Sequence, residues 1–220
     1  MRVPSSKRDS DEDGPFIKRG PVLVFVGLSV VAMLWSLRPG APVGARPTSG
    51  DRVIAFGDSL VEGVGASVGR DLVSLLSARV GVPIVNAGRR GDTTASALAR
   101  LDPAVLSRNP RVVIVVLGGN DVLRRLPQEE TFANLETLVG RIRGRGAAVI
   151  LVGLSFGVFP DAYGNGYENL AHRSSSGLVP DVLAGILGHA DLMADQIHPN
   201  DHGYRMMADR IEPALRAALK

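Results

Sequence analysis

The sequence predicts an α/β fold whose parallel sheet is covered by helices on both faces. Short apolar runs alternate with segments of helical spacing from Arg52 onward, which is the pattern of repeated βα units. One run, residues 112–117 (VVIVVL), is unbroken and β-branched, as expected of a strand buried on both faces in the middle of such a sheet. The 220 residues are 45% apolar and 21% charged. That suits one globular domain with an extension and excludes a wholly disordered chain.

The elements follow in order. Residues 52–56 (RVIAF) end at Gly57 and read as the first buried strand. Residues 68–80 place Leu72, Leu75 and Leu76 at helical spacing, and 82–86 form a second short strand. Residues 93–107 open on a threonine and carry Leu98, Leu101 and Leu106, with Pro103 as the expected break. After the strand at 112–117, residues 128–145 repeat Phe132, Leu135, Leu138, Val139 and Ile142 as a helix. Residues 147–154 (AAVILVGL) are a buried strand, 167–174 a short helix, 178–183 a fifth strand and 199–219 the last helix. In sheets of this class, ligands bind beyond the carboxyl ends of the strands. The chemistry is therefore expected after the first three strands and in the loop before the last helix.

The formal charge is +3, yet residues 1–50 hold 7 Lys/Arg and 4 Asp/Glu while residues 51–220 hold 18 of each. The basic surplus belongs to the extension, so the domain carries no electrostatic case for nucleic acid. Arg89-Arg90 and Arg124-Arg125 read as solvated surface. Residues 1–20 are polar and aperiodic, and are expected to be a disordered cytoplasmic tail. Residues 21–37 (PVLVFVGLSVVAMLWSL) carry no charge; as a helix they would reach about 25 Å. A buried helix would have a polar face. A cleaved signal peptide is the alternative, with residues 43–45 as a small-residue cleavage site. The preferred reading is a transmembrane signal anchor: five Lys/Arg precede the segment and three follow it closely, which places the domain outside the membrane. Residues 38–50 are a Pro/Gly linker, and the domain occupies 51–220.

Four clusters stand at the expected strand ends: Gly57-Asp58-Ser59-Leu60, the stretch from Asn86 to Thr93, Gly118-Gly119-Asn120-Asp121, and Asp195-Gln196-Ile197-His198-Pro199. A serine hydroxyl is a weak nucleophile and needs a base. His198 can be that base, and Asp195, three residues before it, can fix its tautomer. Donors for an oxyanion are available from the Gly91 N–H, the Asn120 amide and the Ser59 N–H. Val61 replaces the second glycine of a G-x-S-x-G elbow, so this is not that motif. Taken singly, Ser59 is a helix cap, Gly91 a turn glycine, and Asp195 and His198 the start of a helix. Together, order and placement agree across four segments. Asp58 and Asp121 are expected to orient turns, and His172, His189 and His202 fit no zinc spacing. The chain contains no cysteine, which excludes a cysteine nucleophile, disulfides and a Cys-based zinc site.

These residues resemble the SGNH (GDSL) hydrolases, whose four letters correspond here to Ser59, Gly91, Asn120 and His198. The likeness is greatest to the branch of bacterial thioesterase I/lysophospholipase and arylesterases, and it spans about residues 52–219. It implies a flavodoxin-like three-layer αβα sandwich with a five-stranded parallel sheet. It also implies hydrolysis of aryl or acyl esters through an acyl-serine, without metal or cofactor, and a small-molecule or lipid ester as the partner. Alternatives on the same site are a thioesterase or lysophospholipase and a carbohydrate acetylesterase; a non-catalytic binding module is disfavoured by the intact set. Residues 155–177 depart from the branch where the acyl groove is expected, which leaves chain length open. Leu123, Leu154, Phe156 and Phe159 can line an acyl pocket, and a place in the core suits each of them as well.

Overall fold

The computed structural model describes residues 44–155 and 162–220. Five strands, β1 (Arg52–Gly57), β2 (Ile84–Gly88), β3 (Pro110–Val116), β4 (Ala148–Val152) and β5 (Gly177–Val179), pair in the order β2-β1-β3-β4-β5. Every pairing is parallel. This is the expected α/β fold. The central position of β3 follows from its composition: residues 112–116 are all buried, and each large aliphatic side chain taken from water contributes about 1.5–3 kcal/mol.

Nine helices are described. They are α1 (Ser59–Glu62), α2 (Leu72–Val80), α3 (Thr94–Ala99), α4 (Leu101–Ala104), α5 (Gly119–Leu123), α6 (Gln128–Arg143), α7 (Ala162–Ser174), the 3-10 turn Leu106–Arg108, and α8 (Asp201–Leu219). Helices α2 and α8 pack together on one side of the sheet, and α3, α6 and α7 on the other. Leu72 and Leu76 from α2, and Tyr204, Met207, Ile211 and Leu215 from α8, enter the first layer of core. Leu135, Leu138 and Ile142 of α6 enter the second. The chain builds outward from β1 to β2, then crosses back to β3. The order therefore reverses between β1 and β3, where sheets of this kind open a crevice at their carboxyl ends.

Element boundaries depart from the sequence pattern for local reasons. Helix α2 begins at Leu72 because Asp71 caps it, accepting from the Ser74 N–H at 2.9 Å. Strand β2 starts after Pro83, which has no N–H for the ladder. The break expected at Pro103 falls earlier, after Ala99; a proline ring crowds the carbonyl four residues back, and that carbonyl is Ala99's. Strand β5 stops at Val179, before Pro180. Helix α7 starts at Ala162, five residues ahead of the expected 167.

The linker is not free over its whole length. Ala45 N–H donates to Ser175 O and Thr48 N–H to Gly146 O, each at 2.8 Å, while Ser49 Oγ donates to Arg145 O at 2.5 Å. These acceptors precede β5 and β4, so residues 45–49 lie along the amino ends of those strands, away from the crevice. Residues 1–20 and 21–37 lie outside the described residues. Among the described residues no helix is long and apolar enough to cross a membrane.

Candidate active site

Ser59 stands on the turn between β1 and α1, at the carboxyl end of the sheet. Gly57 ends the strand because a Cβ there would meet the Val116 carbonyl oxygen and lie 2.6 Å from Val61 Cγ2. Asp58 then caps α1, accepting from the Leu60 N–H at 3.0 Å. The serine becomes the first helical residue, where a backbone N–H has no partner inside the helix.

The loop before α8 brings His198. Met193 and Pro199 form an isolated antiparallel bridge. Ala194 N–H donates to His198 O and Asn200 N–H to Leu192 O, both at 2.9 Å, closing a loop around residues 194–198. Asn200 caps α8 through the His202 and Gly203 N–H groups. The loop is pinned to the segment after α1 by Ser67 N–H on Asp201 Oδ1 (2.7 Å) and Tyr204 Oη–H on Val64 O (2.7 Å).

These constraints place His198 Nε2 3.0 Å from Ser59 Oγ and His198 Nδ1 2.7 Å from Asp195 Oδ2. The other oxygen of Asp195 accepts the Ile197 and His198 N–H groups at 2.9 and 2.8 Å. The carboxylate thereby engages its own loop and the imidazole at once. Its pKa is held down at about 2, chiefly by the hydrogen bond from His198.

The other side of the cleft is buried. Gly91 adopts φ +78°, a conformation suited to glycine, in a turn closed by Asp92 N–H on Arg89 O. Asn120, on α5, donates from Nδ2 to Asp92 O at 3.0 Å and to Asp58 Oδ2 at 3.2 Å. Asp58 is 2% exposed. Burial pushes its pKa up to about 6, opposed by the Leu60 N–H. Asp121 accepts from the Thr94 N–H and hydroxyl, the latter at 2.6 Å, and so joins α5 to α3. Both aspartates orient turns as expected, but Asp58 also touches Asn120.

Asp58, Ser59, Gly91, Asn120 and His198 line one cavity of about 330 Å³. Leu60, Leu123, Leu154, Leu183, Leu187 and Ile197 supply its apolar wall. Leu123 and Leu154 are where the sequence pattern puts them; Phe156 and Phe159 lie outside the described residues. The sequence pattern puts Leu183 in the fifth strand. It reaches the cavity because Pro180 ends β5 and Asp181 Oδ1 accepts from the Leu183 N–H at 3.0 Å, turning the chain. His202 is exposed and does not line the cavity.

Comparison with known proteins agrees with this layout. The sequence profile of the GDSL-like Lipase/Acylhydrolase family matches residues 55–206. The chain belongs to that family. Esterase TesA of Pseudomonas aeruginosa is 31% identical over 178 residues, covering 76% of this chain and 89% of the relative. An arylesterase of Vibrio mimicus is 26% identical, covering 79% and 92%. A crystal structure of TesA superposes with a TM-score of 0.72 at 30% identity, covering 76% of this chain and 99% of that one. The five-stranded parallel sheet is thus that of the GDSL hydrolases, and the protein is a carboxylic ester hydrolase of that family.

The sequence pattern passed over Arg100, which reaches into the same end of the sheet. Its signal was a lone cation in an otherwise small and apolar stretch, TTASALARL.

Proposed function

We propose that the protein is a serine esterase in which Ser59 attacks the acyl carbonyl, His198 takes its proton, and Asp195 holds His198 in the tautomer that can accept it. His198 then gives that proton to the departing alkoxide or phenoxide. Water, deprotonated by the same imidazole, attacks the acyl-serine; collapse of the second tetrahedral species releases the acid and restores the serine. The observation that carries this reading is the unbroken run of contacts from Asp195 through His198 to Ser59, 2.7 and 3.0 Å, at an apolar cavity.

The oxyanion is received by the N–H groups of Ser59 and Gly91 and by the Asn120 amide. Neither of those two backbone N–H groups has a hydrogen-bond acceptor among the described residues. Asn120 Nδ2 donates to both Asp58 and Asp92. The contact with Asp58 is the longer, and the oxyanion takes its place as charge develops.

The leucine-lined wall favours an aliphatic acyl or aryl group over a sugar acetate. On p-nitrophenyl esters, Ser59→Ala is expected to abolish turnover and fluorophosphonate labelling together, and the C8 ester to outperform the C2 ester in kcat/KM. A Ser59→Ala protein with full activity refutes the nucleophile. A preference for C2 over C8 points instead to an acetylesterase.

We further propose that residues 21–37 anchor the protein with its domain on the extracytoplasmic side. The uncharged segment and its basic flanks support this. Membrane fractionation with N-terminal sequencing tests it: a soluble mature chain starting near Arg46 overturns the anchor.

A further inference from the structure

Arg100 sits between α3 and α4, 17% exposed, with no place in the chemistry described above. Its Nε donates to Asp92 Oδ2 at 2.5 Å. Its Nη2 donates to Gly57 O and to Ala87 O, each at 3.0 Å. Its guanidinium lies 4.6 Å from the centre of the Phe56 ring. Three acceptors from three segments therefore meet on one cation. Gly57 leads into Asp58 and Ser59, Ala87 is the last residue but one of β2, just ahead of the Arg89–Asp92 turn, and Asp92 closes that turn directly after Gly91.

The polar atoms of Asp92 are bound on every side. Its carboxylate takes Arg100 and, at 3.0 Å, the Ser96 hydroxyl. Its N–H goes to Arg89 O at 3.2 Å, and its carbonyl receives Asn120 Nδ2. The entrance to the turn is held as well, since Arg89 N–H shares the Gly57 carbonyl with Arg100. Arg100 thus grips the Gly91 turn at both ends, and through Asp92 it fixes what the Asn120 amide rests on.

We infer that Arg100, acting through Asp92, is a positioning residue that sets the oxyanion-binding geometry between the nucleophile turn and the Gly91 turn. The inference rests on the reading of Gly91 and Asn120 as oxyanion donors. A planar guanidinium can direct N–H groups at three acceptors at once; a lysine ammonium on a flexible stem keeps the charge without the fork. Donor placement matters steeply, because a displacement of about 1 Å can cost on the order of 10²-fold in rate.

The test compares Arg100→Lys, Arg100→Ala and Ser59→Ala with the parent chain, using p-nitrophenyl acetate. The folded fraction is read from thermal unfolding, so that rates are expressed per folded molecule. Arg100→Lys is expected to fold and to lose kcat by roughly 10- to 100-fold, with KM within about threefold. Millimolar guanidinium is expected to restore part of kcat to Arg100→Ala and none to Ser59→Ala. Parent-level kcat per folded molecule in Arg100→Lys overturns the inference, as does a loss confined to KM. If Ser59→Ala itself keeps full activity, the esterase reading has failed. If Ser59→Ala is inactive and the Arg100 variants turn over normally, only the positioning role has failed.

Discussion

Asp58 and Asp195 flank Ser59 but belong to different kinds of structure. Asp195 sits on a loop, its side chain 53% exposed, and is shaped by hydrogen bonds: the His198 ring, then two N–H groups of its own loop, lower its pKa to about 2. Asp58 sits behind the sheet end, 2% exposed, and is shaped by burial, which raises its pKa to about 6. Two carboxyl groups in one site are driven apart by surroundings alone. The His198 side of the cleft is a loop shaped by hydrogen bonds, entered through Leu192 and Met193, which pack against the core. The oxyanion side is continuous with the core through Asp92, Arg100 and Phe56.

The comparison is broken first on the base side. Asp195→Asn is expected to lower kcat/KM by about 10³-fold, short of the ~10⁴ seen for a buried triad carboxylate, because solvent reaches this one. Steady-state kinetics on a p-nitrophenyl ester will show it. On the buried side, Asn120→Ala is expected to cost on the order of 10²-fold in kcat with KM little changed; an equal rise in KM with kcat intact would mean that Asn120 contacts ground-state substrate only.

A pH profile challenges the histidine base without mutation, in a window where Asp58 also titrates. His198 must be unprotonated to take the serine proton, so kcat/KM is expected to fall from about pH 8 to pH 5. A flat profile across that range removes the histidine base.

The smallest effect is one of stability. Asp58 has a folded pKa above its unfolded one, so its contribution is fully present below about pH 4 and is lost as pH rises through about 6. Asp58→Asn keeps an acceptor for the Leu60 N–H without the buried charge. Its Tm, taken relative to the parent, is expected to rise between pH 4 and pH 7, by no more than about 3 kcal/mol of relative stability. A Tm difference independent of pH would show that Asp58 is not strained by burial.

Much of this was legible before any coordinates. The sheet followed from apolar runs such as VVIVVL, because a strand covered on both faces needs nothing but apolar side chains. The clusters around Ser59, Gly91, Asn120 and His198 could be read because chemistry of this kind demands those residue types at strand ends. The groove was harder to read. Leu183 and Leu187 enter it only because Pro180 and Asp181 turn the chain after β5, and no periodicity announces that turn. The docking of residues 45–49 was also hidden, since it is made by backbone hydrogen bonds that a Pro/Gly-rich composition does not advertise.

The sequence by itself determined the fold class, the number of strands, and which residue types could carry an acyl transfer. Those depend on local pattern: alternation, capping and side-chain chemistry. Only the tertiary structure decided that Asn120 rests on Asp58 and Asp92, that Arg100 joins the ends of two strands to the Gly91 turn, and that the pKa values of two aspartates of one cleft are shifted in opposite directions. Those depend on how the folded chain brings groups together and how much water it leaves around each: Asn120 meets partners 62 and 28 residues away, and burial rather than sequence neighbours shifts Asp58.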